Sequence, residues 1–375
     1  MIRILFFLPS FTGGGAERTL INIANGLNRK EYIVHFVIID RPVNGKYKDE
    51  YYDFLREDII VHNLNIRILK RNYAKIVLKI SKTIKSVKPD IVMSTMLRSN
   101  IMLTSAVKIG RHKCKIVLRE SNNRSATTKK WIEKEAITFI YGKVADMTVA
   151  LSKGVKKDLC EHFGVKSKKI QVIYNPIDLE GITQLAKEDV KLQGNNIIVT
   201  AGRFHKQKNY PIMIKALSLL KESIDFHMYI LGKGELENEI KQQICDEGLM
   251  DRVTMVGFQA NPYKFFSRSK VFVLTSDWEG FGHVIVEAMT CGTAVISTDC
   301  PYGPNEIITN HENGILVPIG DYRKLSQEIG ALLLDDSKRK RIIENGKKRA
   351  QDFSMKRIVR EYETLFKRII KTTNT

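Results

Sequence analysis

The sequence has few cysteines, and nothing in their spacing pairs them. The five in its 375 residues lie far apart, include no Cys-x-x-Cys pair and are odd in number. This argues against a disulfide framework and a structural zinc site, and it favours a reducing compartment. Long apolar runs are also missing, since none approaches the roughly 20 residues needed to cross a bilayer. Any membrane contact is therefore expected to be peripheral.

Four further absences narrow the function. The apolar start Met1–Leu8 is followed at once by Pro9 and a glycine run, without a small-residue cleavage site, which predicts a first strand rather than a signal peptide. The chain has no internal repeat and no low-complexity tract. Nor does an Asp-x-Asp triplet follow a suitable strand, so we expect neither a metal ion nor another cofactor.

Acidic residues are scarce in the first half of the chain. Residues 1–175 contain 33 Lys and Arg against 15 Asp and Glu, whereas residues 176–375 contain 28 against 26. Nearly all of the net charge of +20 thus lies in the first half. Such a surface suits an anionic partner: phospholipid headgroups, a diphosphate-linked acceptor or nucleic acid. A merely basic, well-solvated surface is the alternative.

Length and hydrophobic pattern predict two α/β domains. At 43% hydrophobic residues the chain can bury two cores. Short β-branched runs alternate with amphipathic stretches, the pattern of parallel sheets covered by helices. The boundary is expected after Asn175-Pro176-Ile177-Asp178, giving domains over 1–178 and 179–354 and a terminal helix over 355–375. Strands are predicted near 2–8, 32–40, 59–64, 90–95, 114–119, 145–150, 196–202, 225–232, 252–256, 270–275 and 294–298, with a further short one from Ile170.

The most specific motif follows the apolar strand Val271–Thr275 and includes Glu279-Gly280-Phe281-Gly282. A glycine-containing turn from strand to helix presents backbone N–H groups where a diphosphate is stabilised. Glu279 and Glu287 are eight residues apart, which in a helix returns close to the same face. One carboxylate could then meet a sugar and the other a ribose. Two solvent-facing acids are the alternative.

Two weaker signals also follow predicted strands. Arg203 and Lys208 lie just past the strand Ile197–Thr200, and their cations could neutralise a departing nucleoside diphosphate without a metal. Solvated surface charge is the competing interpretation. Near the start, Gly13–Gly15 open a helix and would let the backbone approach a phosphate closely. An ordinary flexible turn explains that run equally well.

The combination of motifs resembles the retaining glycosyltransferases of family 4. It consists of Gly-Gly-Gly-Ala-Glu-Arg at 13–18, Gly-Arg-x4-Lys at 202–208, and Glu-Gly-Phe-Gly-x4-Glu at 279–287 followed by Cys-Gly-Thr-Ala-Val-Ile at 291–296. The segment 297–306 is similar to bacterial members that extend polyprenyl-diphosphate-linked or surface polysaccharides. The resemblance implies the GT-B fold, with two facing Rossmann-like domains and a last helix that crosses back to the first domain.

The resemblance also implies roles for individual residues. Arg203 and Lys208 would hold the donor diphosphate, Glu279 the transferred sugar and Glu287 the ribose. Many relatives have a histidine near the end of the fourth or fifth strand of the first domain, where this chain has none. Glu120 is the candidate for an acceptor-side catalytic role there, with a structural salt bridge as the alternative. The remaining donor-binding positions would be Gly14, Gly15, Gly202, Gly232, Phe258, Gly280, Phe281 and Gly282.

The activity implied is transfer, with retention, of an N-acetylhexosamine or hexose from a UDP-sugar to a polyprenyl-diphosphate-linked or related lipid-linked glycan at the cytoplasmic membrane face. A GDP-mannose donor and a nucleotide-sugar epimerase are the enzymatic alternatives. A basic nucleic-acid-binding protein is the alternative from another class. Nucleic acid is not the expected partner, because the chain has no recognised binding module and its aromatic residues do not interleave with the cations.

A basic helix is predicted over residues 65–88, which contain eight Lys and Arg and no acid. At about 100° per residue its apolar side chains form one stripe, running from Ile66 and Leu69 through Tyr73 to Val87. That stripe would pack on the sheet, and the cationic remainder would face anionic lipid or a lipid diphosphate. The membrane or acceptor residues proposed on this basis are Arg67, Lys70, Arg71, Lys75, Lys79 and Lys82.

Overall fold

A computed structural model describes residues 1–11, 15–40, 52–67, 69–125, 128 and 130–371, except for the side chain of Lys70. The chain forms two compact units. The first unit contains Met1–Pro176 and the chain from Met355 onward, and the second unit contains Ile177–Ser354. Each unit has its own parallel sheet and its own hydrophobic core.

The first unit is built on a seven-stranded sheet with the order β3-β2-β1-β4-β5-β6-β7, all parallel. Because helices cover both faces, its central strands are apolar on both sides, and Ile4–Leu8 are fully buried. The strands are Ile2–Leu8 (β1), Tyr32–Ile38 (β2), Ile60–Asn63 (β3), Ile91–Thr95 (β4), Lys115–Glu120 (β5), Met147–Ala150 (β6) and Ile170–Val172 (β7). The helices are Gly15–Gly26 (α1), Tyr73–Val87 (α2), Leu97–Ile109 (α3), Trp131–Phe139 (α4) and Lys153–Phe163 (α5).

The second unit has a six-stranded parallel sheet with the order β10-β9-β8-β11-β12-β13. Its strands are Ile197–Ala201 (β8), His227–Leu231 (β9), Val253–Gly257 (β10), Val271–Leu274 (β11), Ala294–Thr298 (β12) and Ile315–Val317 (β13). Its helices are Leu179–Leu185 (α6), Tyr210–Ser218 (α7), Glu237–Asp246 (α8), Tyr263–Phe266 (α9), His283–Cys291 (α10), Pro304–Ile307 (α11), Tyr322–Leu334 (α12) and Asp336–Ala350 (α13).

The last helix, Met355–Lys371 (α14), belongs to the first unit. Its buried side chains recur at helical spacing and join the core beneath α1. The two helices approach closely at Gly26, where a Cβ would lie 2.6 Å from Val359 Cγ2. Glu363 Oε1 also accepts a hydrogen bond from the Asn28 backbone N–H at 2.9 Å. The expected return of the terminal helix to the first domain is confirmed.

Local sequence explains where several helices begin and end. Ser152, Asp178, Asp321 and Asp335 each accept a hydrogen bond from a backbone N–H of the first turn that follows them. Glycine in the left-handed region ends α5 at Gly164 and α10 at Gly292. The predicted strands match the observed ones within two residues at each end, whereas the three-residue strand β13 was not predicted.

The prediction of one basic helix over 65–88 is wrong in its first third. The backbone N–H groups of Leu64 and Ile66 bond to Ile38 and Ile39, so this segment runs on beside β2. Asn65 has a φ of 51°, which breaks any helix there. Helix α2 therefore begins only at Tyr73, after a 3₁₀ turn over Lys70–Asn72. Within the described residues, no helix is both long and apolar enough to cross a membrane.

A pair of histidines joins β2 to the edge strand β3. His35 Nδ1 lies 3.1 Å from His62 Nε2, and the two rings are stacked with centroids 5.3 Å apart. Burial, then the neighbouring His62, then Arg3 lower the pKa of His35 to about 4, and burial also lowers the pKa of His62. One ring must accept the shared hydrogen bond, so both rings cannot be protonated while it persists.

We expect the free energy of unfolding to fall as the pH is lowered from 6.5 to 4.5. The unfolded chain protonates these histidines near pH 6.5, but the folded chain does so only at lower pH, so protons favour unfolding across this window. In the variant His35→Gln this loss should be smaller by about 2 kcal/mol. Denaturant titrations at the two pH values measure it. The control His311→Asn alters an exposed histidine; an equal pH dependence in all three proteins would contradict the prediction.

Candidate active site

The candidate site lies at the carboxyl edge of the second unit's sheet. Strands β8 and β11 are neighbours, but the chain leaves β8 towards β9 and β10 and leaves β11 towards β12 and β13. The loops after β8 and β11 therefore diverge in opposite directions and leave a crevice between them. In open α/β sheets ligands bind at this switch point. Arg203 and Lys208 follow β8, and Glu279 follows β11.

Hydrogen bonds fasten these two loops to each other. The loop after β8 contains a 3₁₀ turn over Lys206–Lys208 and ends at Asn209, whose φ of 43° directs the chain into α7. Sequence analysis did not identify the residues that link the loops; their signal was only that they are polar and follow strand ends. The bonds run from Asp277 N to Gln207 O (2.9 Å), Gln207 Nε2 to Trp278 O (2.7 Å), Asn209 Nδ2 to Asp277 Oδ1 (2.7 Å) and Thr275 Oγ1 to Lys208 O (2.8 Å).

The central contact of the site is an ion pair between Lys208 and Glu279. Lys208 Nζ lies 2.6 Å from Glu279 Oε1, and the two side chains are only 17% and 10% exposed. Such a pair, largely removed from water, is held by good geometry and is costly to break from one side. Arg203, by contrast, is exposed. Its guanidinium has no hydrogen bond or ion pair with any residue that the structure describes, and it is available to a ligand.

The expectation that Glu279 and Glu287 share a helix face is wrong. Helix α10 begins at His283, and Glu279 lies in the preceding loop. Its backbone is fixed there by hydrogen bonds to Pro301 O and from Tyr302 N, both at 3.2 Å. Glu287 lies on α10, is 6% exposed, and accepts a hydrogen bond from the Tyr263 hydroxyl at 3.5 Å. The glycine-rich turn lies between the two carboxylates, so helical spacing does not determine their relative positions.

Gly280, Phe281 and Gly282 form the turn into α10. Gly282 has a φ of 92° and occupies the N-cap position, and no side chain among the described residues caps this helix. Phe281 is buried against Phe353, with ring centroids 5.2 Å apart. The loop after β12 packs tightly against Phe281, since a Cβ on Gly303 would lie 2.6 Å from Phe281 O. The turn is thus a rigid backbone element at a helix N-terminus, where anions bind favourably.

Two other predicted glycines lie at neighbouring strand ends and touch. A Cβ on Gly232 would lie 1.9 Å from Gly202 O, and Gly232 has a φ of 148°. A Cβ on Gly202 would in turn lie 3.3 Å from Lys208 Cε. Only glycine permits the backbone contact at 232, whereas a side chain at 202 would require Lys208 to shift slightly. Beside them, the ring of Phe258 is 56% exposed and has the Lys233 ammonium 4.8 Å from its centroid.

Comparisons with known proteins identify the family of the chain. The model of the family described as Glycosyltransferase Family 4 matches residues 13–180, and that of Glycosyl transferases group 1 matches residues 182–349. An N-acetylgalactosamine-N,N'-diacetylbacillosaminyl-diphospho-undecaprenol 4-alpha-N-acetylgalactosaminyltransferase of Campylobacter jejuni is 31% identical over 366 residues, covering 96% of this chain and 98% of that one. The chain belongs to glycosyltransferase family 4.

Solved structures give this glycosyltransferase the GT-B fold. HepE of Anabaena, determined in complex with UDP, is 23% identical with a TM-score of 0.81, covering 97% of this chain and 99% of that one. A glycosyltransferase of Rickettsia africae is 22% identical with a TM-score of 0.82, covering 99% of each chain. The predicted family and fold class are confirmed.

In the first unit of the transferase, Glu120 is fully buried at the end of β5. Its carboxylate accepts hydrogen bonds from Arg124 Nε at 2.7 Å and from the Tyr141 hydroxyl at 2.5 Å. The backbone N–H groups of Ser121 and Asn122 bond to it as well. Burial, and then the Glu120 charge, raise the pKa of Tyr141 well above its ordinary value, so the phenol keeps its proton and donates. This geometry is that of a structural salt bridge, which was the alternative to the catalytic role predicted for Glu120.

The remaining predicted positions of the transferase also lie in the first unit. Gly15 is the first residue of α1, and Gly14 lies outside the described residues. Arg67, Arg71, Lys75, Lys79 and Lys82 are all exposed. No three His, Cys, Asp or Glu side chains among the described residues gather in a way that could hold a metal ion.

Replacing Gly232 with alanine should destabilise the transferase by about 3 kcal/mol or more, because the added methyl collides with backbone at Gly202 and the φ is strained. The matched control is Gly257→Ala, at a position with a φ of 78° and open space around the added Cβ. It carries backbone strain alone and should cost about 1 kcal/mol. Denaturant unfolding measures both. Equal losses in the two variants would show that the contact with Gly202 contributes nothing.

Proposed function

We propose that this glycosyltransferase moves an N-acetylhexosamine or hexose from a UDP-sugar to a polyprenyl-diphosphate-linked or related lipid-linked glycan, with retention and without a metal. It would act at the cytoplasmic face of the membrane. The observation that carries the proposal is the β8/β11 switch point, where Lys208 and Glu279 are paired and the loop that contains Lys208 also contains the exposed Arg203.

The chemistry of the cluster suits a nucleoside diphosphate leaving group. Negative charge grows on the diphosphate as the bond to the sugar breaks. Arg203 brings a planar guanidinium that matches phosphate oxygens, and Lys208 brings a compact ammonium already held in place by Glu279. The backbone at Gly282, at the N-terminus of α10, adds a third favourable element. Lys208 and the α10 backbone are held before a ligand arrives, and fixed groups of this kind stabilise the transition state without reorganising.

The nucleoside would occupy the adjacent strand ends. Gly202 and Gly232 leave the backbone bare beside the diphosphate site, and the exposed ring of Phe258 offers a stacking surface for the base. Glu287 is assigned to the ribose hydroxyls, with Tyr263 orienting its carboxylate. Carboxylates are suited to this task because they accept hydrogen bonds from both hydroxyls of a diol.

Two Campylobacter jejuni relatives support the sugar and acceptor class. Besides the 31% identical enzyme, a GalNAc-alpha-(1->4)-GalNAc-alpha-(1->3)-diNAcBac-PP-undecaprenol alpha-1,4-N-acetyl-D-galactosaminyltransferase is 25% identical over 369 residues, covering 96% of this chain. Both names specify an N-acetylgalactosamine transferred to a glycan on diphospho-undecaprenol. Both also specify an α linkage, which from an α-linked sugar nucleotide means retention.

Replacing Arg203 or Lys208 with alanine should lower kcat/KM by about 100-fold each, because each variant lacks one positive charge that would neutralise the leaving group. The assay follows radiolabel from UDP-N-acetylgalactosamine, UDP-N-acetylglucosamine, UDP-galactose or GDP-mannose into organic-extractable product, using an undecaprenyl-diphosphate-linked glycan. The control is Lys206→Ala, an exposed lysine in the same loop. Circular dichroism checks that each variant is folded.

Three outcomes would contradict this proposal. Conversion of the nucleotide sugar to an epimer without transfer would make the chain an epimerase. Label transferred from GDP-mannose alone would replace the UDP donor. Equal activity of Lys206→Ala and Lys208→Ala would show that the ion pair does not stabilise the leaving group.

The membrane part of the proposal is carried by helix α2. It buries Ile76, Ile80 and Ile84 and has no acid, so its solvent face is cationic. Lys75, Lys82 and Lys85 are exposed there, whereas Lys79 also donates a hydrogen bond to Leu64 O at 2.9 Å. Each basic residue near an anionic bilayer contributes about 1 kcal/mol of binding.

The triple variant Lys75→Glu, Lys82→Glu, Lys85→Glu should lose at least about 100-fold in affinity for vesicles that contain phosphatidylglycerol. Vesicle flotation measures this. Lys79 is left intact because it also holds the backbone before the helix. The matched control reverses three exposed cations of α13 in the second unit, Lys340, Arg341 and Lys348, for the same change in net charge. An equal loss of affinity in both variants would mean that net charge alone attracts the protein to the vesicles, and that no specific surface on α2 is involved.

A further inference from the structure

A buried serine touches the ion pair of the candidate site. Ser276 follows β11 and is fully buried. Its hydroxyl donates a hydrogen bond to Glu279 Oε1 at 2.7 Å. The same oxygen receives the Lys208 ammonium at 2.6 Å. Both donors therefore converge on one carboxylate oxygen, and Glu279 Oε2 has no hydrogen-bond partner among the described residues.

The two donors differ in what they can fix. Lysine is a point charge on a flexible stem and can follow either carboxylate oxygen. The Ser276 hydroxyl is on a short side chain, and its backbone carbonyl accepts a hydrogen bond from Thr298 Oγ1 at 2.5 Å. This donor is attached to a fixed main chain, so it holds the plane of the Glu279 carboxylate, with one oxygen bound by both donors and the other left open.

A cysteine that interacts with the pair adds no competing charge. Cys300 is buried, and burial, followed by the Glu279 charge, raises the pKa of its thiol to about 12. It is therefore a neutral neighbour with little hydrogen-bonding strength. Lys208 is the charged partner of the Glu279 carboxylate, and Ser276 is its directional one.

We propose that Ser276 is a positioning residue that turns Glu279 Oε2 toward the transferred sugar, where it accepts a hydrogen bond from a sugar hydroxyl. The inference rests on the proposed function of Glu279. Without the serine hydroxyl, only Lys208 holds the carboxylate, and the carboxylate plane can turn about its terminal torsion, because that torsion is broad. The diphosphate contacts are untouched, so the defect is confined to the sugar.

The test compares affinities for UDP and for UDP-N-acetylgalactosamine, UDP-N-acetylglucosamine and UDP-galactose by calorimetry. The readout is the ratio of each UDP-sugar affinity to the UDP affinity. Ser276→Ala should lower this ratio for the preferred sugar about tenfold, the size of one hydrogen bond to a charged group. It should change the UDP affinity less than about twofold, whereas a general folding defect would weaken both ligands.

Ser297→Ala is the matched control. Ser297 is also a fully buried serine near the carboxyl end of a neighbouring strand, β12, but among the described residues its hydroxyl bonds only to the Thr298 carbonyl, at 3.1 Å. It should leave the ratio unchanged. Glu279→Ala should lower the ratio at least as far as Ser276→Ala, and adding Ser276→Ala to it should lower the ratio no further, because the serine acts through the carboxylate.

The outcomes separate two failures. If Glu279→Ala lowers the ratio and Ser276→Ala does not, the positioning role is overturned while the proposed function stands. A Ser276→Ala effect of the same size in the Glu279→Ala background also overturns it, since the serine would then act by another route. If Glu279→Ala leaves the ratio unchanged for every sugar, the assignment of Glu279 to the sugar fails and this inference fails with it.

Discussion

The ion pair between Lys208 and Glu279 is the interaction on which the candidate site depends. It joins the loop after β8 to the loop after β11, at the one place where the connections of the sheet diverge. In the proposed function the cation serves a diphosphate and the carboxylate serves a sugar. Each of these charges is costly to hold out of water alone. Held together, each supplies the countercharge that the other needs before any ligand arrives.

The surroundings of the pair are built from backbone rather than from further charges. Glycines at 202 and 232 bring two strand ends into contact, and side-chain amides and hydroxyls link the two loops. Rigid backbone is a sound support for such a pair, because misplacing it by even 1 Å would lower the rate steeply. This explains why so much of the site consists of residues without reactive side chains.

Sequence patterns predicted the two sheets, the terminal helix and the residues of the central pair. They could do so because apolar strands buried on both faces, and motifs that follow them, leave a strong linear signal. The predicted helical relation between Glu279 and Glu287 was wrong. A glycine turn lies between them, and apolar periodicity cannot detect such a turn. The start of α2 was misplaced for a similar reason: apolar spacing continues through Leu64–Arg67, but long-range backbone bonds to β2 determine its path. The role of Ser276 depends on a contact that exists only after folding, and no spacing rule encodes it.

Helix α14 has a consequence for how the chain is made. The first unit contains residues from both ends of the sequence, and its core beneath α1 is completed by side chains such as Ile358, Tyr362 and Phe366. During synthesis those residues leave the ribosome only after the whole second unit, which is by then available to fold. Part of one apolar face of the amino-terminal sheet therefore stays uncovered until α14 has emerged. A chain released before α14 is made would expose that apolar surface to chaperones and proteases. Such incomplete products should therefore be degraded.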